Sequence, residues 1–146
     1  MSAPDQATLA AWVAAETPRC RAALPDIEVD TDELARAARA QLANDAEGRP
    51  LASLAELDAF ELYLACACLR GDARALFELR ERYFAPLESK LGRMGLGEAQ
   101  RDDVWQVLCQ RLLVGDEAGP AKLLRYAGAG SLGGLVRVAA TRLTLD

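Results

Sequence analysis

The sequence predicts an all-α protein of bundled, orthogonally packed helices, and three observations predict it. Of 146 residues, 29 are Ala and 24 are Leu, both strong helix formers. Apolar residues recur three and four positions apart, and no stretch shows the two-residue alternation of a strand. Eleven Gly and six Pro punctuate a chain that is 51% hydrophobic, a balance that suits a folded domain rather than disorder.

The elements follow in order. A first helix over about 5–16 carries Leu9, Trp12 and Val13 on one side, and Pro18 is expected to stop it. After a loop containing Pro25, Asp30 is placed as an N-cap with Glu33 three residues on. The helix behind it, about 31–44, has Leu34, Ala37, Ala38 and Leu42 as an apolar stripe. Residues 44–50 read as a loop. Ser53-Leu54-Ala55-Glu56 has the spacing of a capping box, and an apolar helix is expected from there to Arg70, closed by Gly71. Asp72 caps the next helix, with Leu76, Leu79, Tyr83 and Leu87 as core candidates and Pro86 expected to kink it or split it near Phe84. Beyond Gly95-Leu96-Gly97, a long helix over 98–114 turns Val104, Leu108 and Leu112 inward, with Val107 adjoining. Asp102, Asp103, Gln106 and Gln110 lie on its other side, where Trp105 reads as the centre of a polar face. A short helix at about 121–126 and a last one from Ser131 towards Leu145 complete the chain. Residues 1–58 form a helical arm in this reading, and residues 59–146 form the main helical domain.

Composition excludes several chemistries. The chain has no histidine, so no imidazole serves as base or metal ligand. Its net charge of −5 argues against indiscriminate coating of nucleic acid. That charge is unevenly spread: acids outnumber bases through residue 120, whereas residues 121–146 hold Lys122, Arg125, Arg137 and Arg142 against Asp146 alone. Cys66 and Cys68 sit two apart in a helix and so face roughly 200° apart, which prevents them from gripping one metal together. Buried free thiols in a reducing compartment account for them, and no metal or other cofactor is expected. Neither a signal sequence nor an apolar run long enough to span a bilayer is present, so a cytoplasmic protein without a membrane partner is expected.

Motifs with catalytic associations do not hold together. Gly128-Ala129-Gly130-Ser131-Leu132-Gly133 satisfies the dinucleotide-binding spacing, but the residues before it are helical in character and no second strand follows. The neighbouring acids Asp102 and Asp103, and likewise Asp116 and Glu117, point in different directions; acids at a helix start complement its dipole. No catalytic residue is assigned, and a non-enzymatic protein is expected. Two surfaces remain. Arg137 and Arg142, with Lys122 and Arg125 just before the turn, and Tyr126 beside the Gly-rich turn combine cations and an aromatic face, a set that suits phosphates and an unstacked base and equally an ordinary solvated helix. Asp103, Gln106 and Gln110 form a polar row that suits a protein interface and equally plain solvent.

The order of these segments resembles domain 2 of bacterial RNA polymerase sigma factors, closest to the extracytoplasmic-function group. Leu62 to Leu87, with Arg70-Gly71-Asp72 and Arg82-Tyr83, is similar to the opening helices of that domain. Asp103-Val104-Trp105-Gln106-Val107-Leu108-Cys109-Gln110-Arg111-Leu112 resembles the family's polymerase-binding helix. Gly130-Ser131-Leu132 through Arg137-Val138-Ala139-Ala140 to Leu145-Asp146 resembles its promoter-melting segment. The match covers about residues 60–146, and the layout with an N-terminal arm looks like sigma-like proteins of myxobacterial type. The resemblance implies docking on the clamp helices of the largest polymerase subunit through Asp103, Gln106, Gln110 and Arg111. It also implies contact of Arg125, Tyr126, Ser131, Arg137 and Arg142 with a melted −10 strand, and regulation by an anti-sigma protein. Three departures stand out. Gly133 and Leu135 replace a usual base and tryptophan, and Val107 replaces a usual acid. The −35-reading helix-turn-helix domain is not within these residues. The expectation is therefore a sigma-factor fragment or a sigma-like polymerase binder; the alternative is a helical interaction module that has lost promoter work.

Overall fold

The computed structural model describes residues 4–43, 53–115, 123 and 132–145. Among these the chain is all-helical. Its helices are α1 (Gln6–Ala23), α2 (Thr31–Leu42), α3 (Ala59–Leu69), α4 (Ala73–Leu79), α5 (Ala85–Arg93), α6 (Glu98–Cys109) and α7 (Leu132–Leu145).

Aspartates start four of these helices. Asp5, Asp30, Asp58 and Asp72 each accept a backbone N–H from the first turn that follows, satisfying donors that have no partner inside the helix. Glu33 does not complete a box with Asp30; it pairs with Arg70 at 2.7 Å and so ties α2 to the end of α3. The Ser53–Glu56 box also closes differently from expectation. Ser53 Oγ donates to Glu56 Oε1 at 3.0 Å, the segment makes one 3-10 turn over Leu54–Glu56, and α3 starts afresh at its Asp58 cap.

Pro18 does not stop α1, which continues to Ala23. An interior proline costs a helix roughly 3 kcal/mol. Here the apolar stripe runs straight across it: Leu9, Val13, Thr17, Cys20 and Leu24 are all buried. The Thr17 hydroxyl, beside the proline, donates to the Val13 carbonyl at 2.7 Å. Burial on both sides of Pro18 thus offsets the missing backbone bond. Pro86 behaves as expected. The helix begun at Asp72 widens into a π-turn at Arg80–Phe84 and restarts as α5 with the proline in its first turn.

Helix α3 is the centre of the bundle. Every residue from Glu61 to Cys68 is buried, so the helix has no solvent face. It packs on α1, α2 and α4, while α7 packs on α6 and on the π-turn. Gly71, with φ of +82°, makes the left-handed turn that separates α3 from α4. A buried tyrosine fastens the N-terminal loop to this centre. Tyr63 donates its hydroxyl to the Ile27 carbonyl at 2.8 Å and accepts the Val29 N–H at 3.2 Å. The Tyr63→Phe variant leaves two buried backbone groups unpaired and is expected to lose about 1–3 kcal/mol in urea unfolding. An unchanged midpoint would show that the loop is fastened otherwise.

Candidate functional site

The Arg80 guanidinium ties helix α6 to the π-turn and to α5, with Arg101 of α6 adding a longer contact to Glu88 at 3.9 Å. Arg80, in the π-turn, bonds Glu88 of α5 through Nε and NH2 at 3.2 and 3.1 Å, and Asp102 of α6 through NH2 at 2.5 Å. Hydrogen bonding to Asp102 raises the Arg80 pKa above its ordinary value, against the lowering effect of burial. Its guanidinium also lies 5.7 Å from the ring centres of both Phe84 and Trp105. Those two rings meet at 5.1 Å, tilted by 42°. Trp105 is only 6% exposed, so it is a core residue and not the centre of an outer polar face. The reason is tertiary: Phe84 and Arg80 offer the indole both an apolar wall and a cation.

With Trp105 and Leu108 turned inward, the outer side of α6 presents Asp103, Gln106, Val107 and Gln110, all exposed. These positions follow the i, i+3, i+4, i+7 pattern of one helical face. Val107 is 45% exposed and Val114, in the π-turn Gln110–Val114 that prolongs α6, is 68% exposed. The face is therefore polar with two uncovered valines, and Arg111 is half-buried at its edge.

The second candidate surface is only partly described. Arg125, Tyr126 and Ser131 lie outside the described residues. Arg137 and Arg142 are both exposed on α7, but five residues apart they point roughly 140° from each other. Arg137 faces α5, where it lines a groove with Lys90 and Met94. Arg142 shares the other side with the exposed Val138. Leu135 packs against the core, and Gly133 is half-buried. The two arginines thus do not form one patch.

Two residues outside the expected set shape this end. One is Arg80. The other is Glu61, a carboxylate only 8% exposed whose two oxygens receive the Leu132 N–H at 2.9 and 3.2 Å. Glu61 belongs to the first turn of α3, yet its side chain reaches the N-terminus of α7. Its signal was present as Asp58-x-x-Glu61, a second capping-box spacing masked by the Ser53–Glu56 one. The thiols of Cys66 and Cys68 are both pushed up to about 12, chiefly by burial. Among the described residues no group of Cys, Asp and Glu is arranged to hold a metal, and no helix is long and apolar enough to cross a membrane. No protein-family model matches the chain, and no curated protein or solved structure matches it significantly.

Burial raises the Glu61 pKa, the Leu132 N–H lowers it, and Asp58 adds repulsion that raises it; burial dominates. A raised acid binds its proton more tightly folded than unfolded. Its favourable contribution is therefore full below the ordinary glutamate pKa and is lost as pH rises through the raised one. Glu61→Gln keeps an acceptor for Leu132. The stability of this variant relative to wild type is expected to grow as pH is raised above about 4.3. Denaturant unfolding at a series of pH values checks this, and a difference independent of pH contradicts it.

Proposed function

We propose that the chain is a sigma-factor domain-2-like protein that docks on core RNA polymerase and contributes to recognition and melting of the −10 promoter element. In this reading it is a cytoplasmic, non-enzymatic transcription protein. Its partner is the pair of clamp helices of the largest subunit. The observation that carries the proposal is the outer face of α6, because the residues of the family-like Asp103-to-Leu112 run divide as a docking helix requires. Asp103, Gln106 and Gln110 are exposed together, while Trp105, Leu108 and Leu112 are buried. Val107 and Val114 add apolar area that a partner would cover, and Arg111 supplies a cation at the rim. Arg80, holding Asp102 on the neighbouring side of the same helix, fixes the angle at which that face is presented.

The DNA half of the reading rests on Arg125, Tyr126, Ser131, Arg137 and Arg142 near a melted strand. A second reading has its own support. Arg137 and Arg142 diverge around α7, and Leu135 is occupied in packing, which suits a polymerase or anti-sigma binder without promoter activity.

Retention on the immobilised clamp-helix fragment tests the docking. Wild type is expected to be retained, and the Asp103→Ala/Gln106→Ala double variant to bind at least about tenfold more weakly, about 1.4 kcal/mol. Both side chains are exposed, so the variant should unfold at the wild-type temperature. Absence of wild-type retention, or equal retention of the double variant, refutes docking through α6.

A further inference from the structure

A cavity of about 670 Å³ opens beside the loop that joins α1 to α2, walled by Arg21 from the end of α1 and Arg70 from the end of α3. Its size falls within the roughly 300–1,000 Å³ of small-ligand sites. Residues Ile27 to Asp30 line it and belong to no helix. Ile27 and Val29 are buried while Glu28 and Asp30 are exposed, the alternation of a strand. The Tyr63 hydroxyl bonds both the Ile27 carbonyl and the Val29 N–H, and so occupies one edge of this segment. Main-chain groups of alternate residues point to opposite edges, which sends the Glu28 N–H, the Glu28 carbonyl and the Asp30 N–H to the other edge. There the Arg70 guanidinium meets the Glu28 carbonyl, which keeps a second lone pair. Neither of the two N–H groups is hydrogen-bonded among the described residues.

We propose that this cavity binds the C-terminal end of an extended peptide, which adds a short strand to the open edge of residues 28–30 and sets its carboxylate on Arg21. The site lies outside the sigma-like run except for Arg70, and the proposal does not depend on that reading. Donor, acceptor and donor follow one another along the edge, the complement of a peptide backbone. The two donors are two residues, or about 7 Å, apart, so a single amino acid is too short to meet both. Charge fixes the end of the ligand. Arg70 is engaged by Glu33 at 2.7 Å, whereas Arg21 is exposed and has no ion pair among the described residues. Arg21 is therefore the guanidinium available to grip a carboxylate through both oxygens. The exposed Glu28 side chain, likewise without an ion pair among the described residues, suits a basic ligand side chain. With Glu28 and Asp30 beside one open cation, the site disfavours a polyanion. The start of α2 is not itself the anion site, because the Asp30 carboxylate already takes the Asp32 N–H at 2.9 Å. Tyr63 holds the inner edge in place, so binding need not order the segment first.

The test is an NMR titration of the isotope-labelled full chain with acetyl-Ala-Val-Lys-Val bearing a free carboxyl terminus. The Glu28 and Asp30 amide protons are expected to move downfield together and to saturate. The C-terminal amide of the same peptide should bind at least about fivefold more weakly, through loss of the charge-assisted bond to Arg21. Arg21→Ala should weaken the acid by a similar factor and leave the amide unchanged. Methylation of the lysine main-chain nitrogen should weaken both peptides by blocking the strand pairing. Arg19→Ala, whose side chain is 78% exposed on the same helix, is the control and should bind like wild type. No movement of the two amides at millimolar peptide overturns the proposal. Equal binding of acid and amide overturns it too, as does an Arg21→Ala loss that is the same for both. A longer peptide ending in the same four residues separates the sources of such a ligand. Equal affinity supports the tail of a protein, and binding of the short form alone supports a free peptide.

Discussion

A helix buried on every side has no solvent face for its polar side chains, and α3 carries two, Glu61 and Tyr63. Both are satisfied by distant parts of the chain, and these bonds organise the bundle. Tyr63 gathers the loop before α2 through Ile27 and Val29. Glu61, two residues earlier, receives the N-terminus of α7. Leaving either group unpaired in the interior would cost more than its hydrogen bond contributes, so the two bonds act as constraints on assembly. The N-terminal helices and the last helix are thereby positioned by a single element between them. The docking of α7 on α6 and the π-turn follows from where its first residue is held.

A second constraint acts on α6. Pro86 cannot donate to Arg82, and the ladder widens before it into the π-turn that carries Arg80. From that turn Arg80 spans α5 and α6 at once, pairing with Glu88 and Asp102 while covering Phe84 and Trp105. A guanidinium suits this position because its planar fork bonds two carboxylates while its face lies over aromatic rings. Lysine would have one point charge for four partners. The proline and the arginine are therefore parts of one device: the first creates the turn, and the second uses it to fix which side of α6 remains outside.

What was legible in the sequence was what a few neighbouring residues decide. Asp30 and Asp72 announced helix starts, Gly71 a stop and Pro86 a break, because each signal acts within one turn of chain. Leu34, Leu79, Leu108 and Leu112 were readable as core by spacing. The failures have one physical source, the side of a helix that some remote element covers. Pro18 was read by its local cost, but the buried stripe from Leu9 to Leu24 is supplied by packing on α2 and α3. The polar residues that flank Trp105 suggest an outward side chain, but Phe84 and Arg80, some twenty positions earlier, turn it inward. Of the candidate surfaces, the Asp103, Gln106 and Gln110 row was visible because one helix carries it whole. The Lys90–Arg137 groove was not, since it exists only where two helices meet.

The acidity of the chain also takes a different meaning once its charges have places. Asp5, Asp30, Asp58 and Asp72 are spent as helix caps, and Glu33, Glu78, Glu88 and Asp102 pair with arginines. Most carboxylates in the ordered helices are thus engaged with backbone amides or guanidinia inside the protein. Lys90, Arg137 and Arg142 have no ion-pair partner among the described residues, and all are exposed. Screening confines a surface charge to about 8 Å at physiological ionic strength, so an approaching polyanion responds to the local set and not to the sum of −5. The acids build the scaffold, and exposed cations without an ion pair among the described residues remain on several helices, Arg39 on α2 as well as Lys90 on α5 and Arg137 and Arg142 on α7. A net charge of −5 therefore says little about any one face of this protein, because helix packing decides which charges stand together.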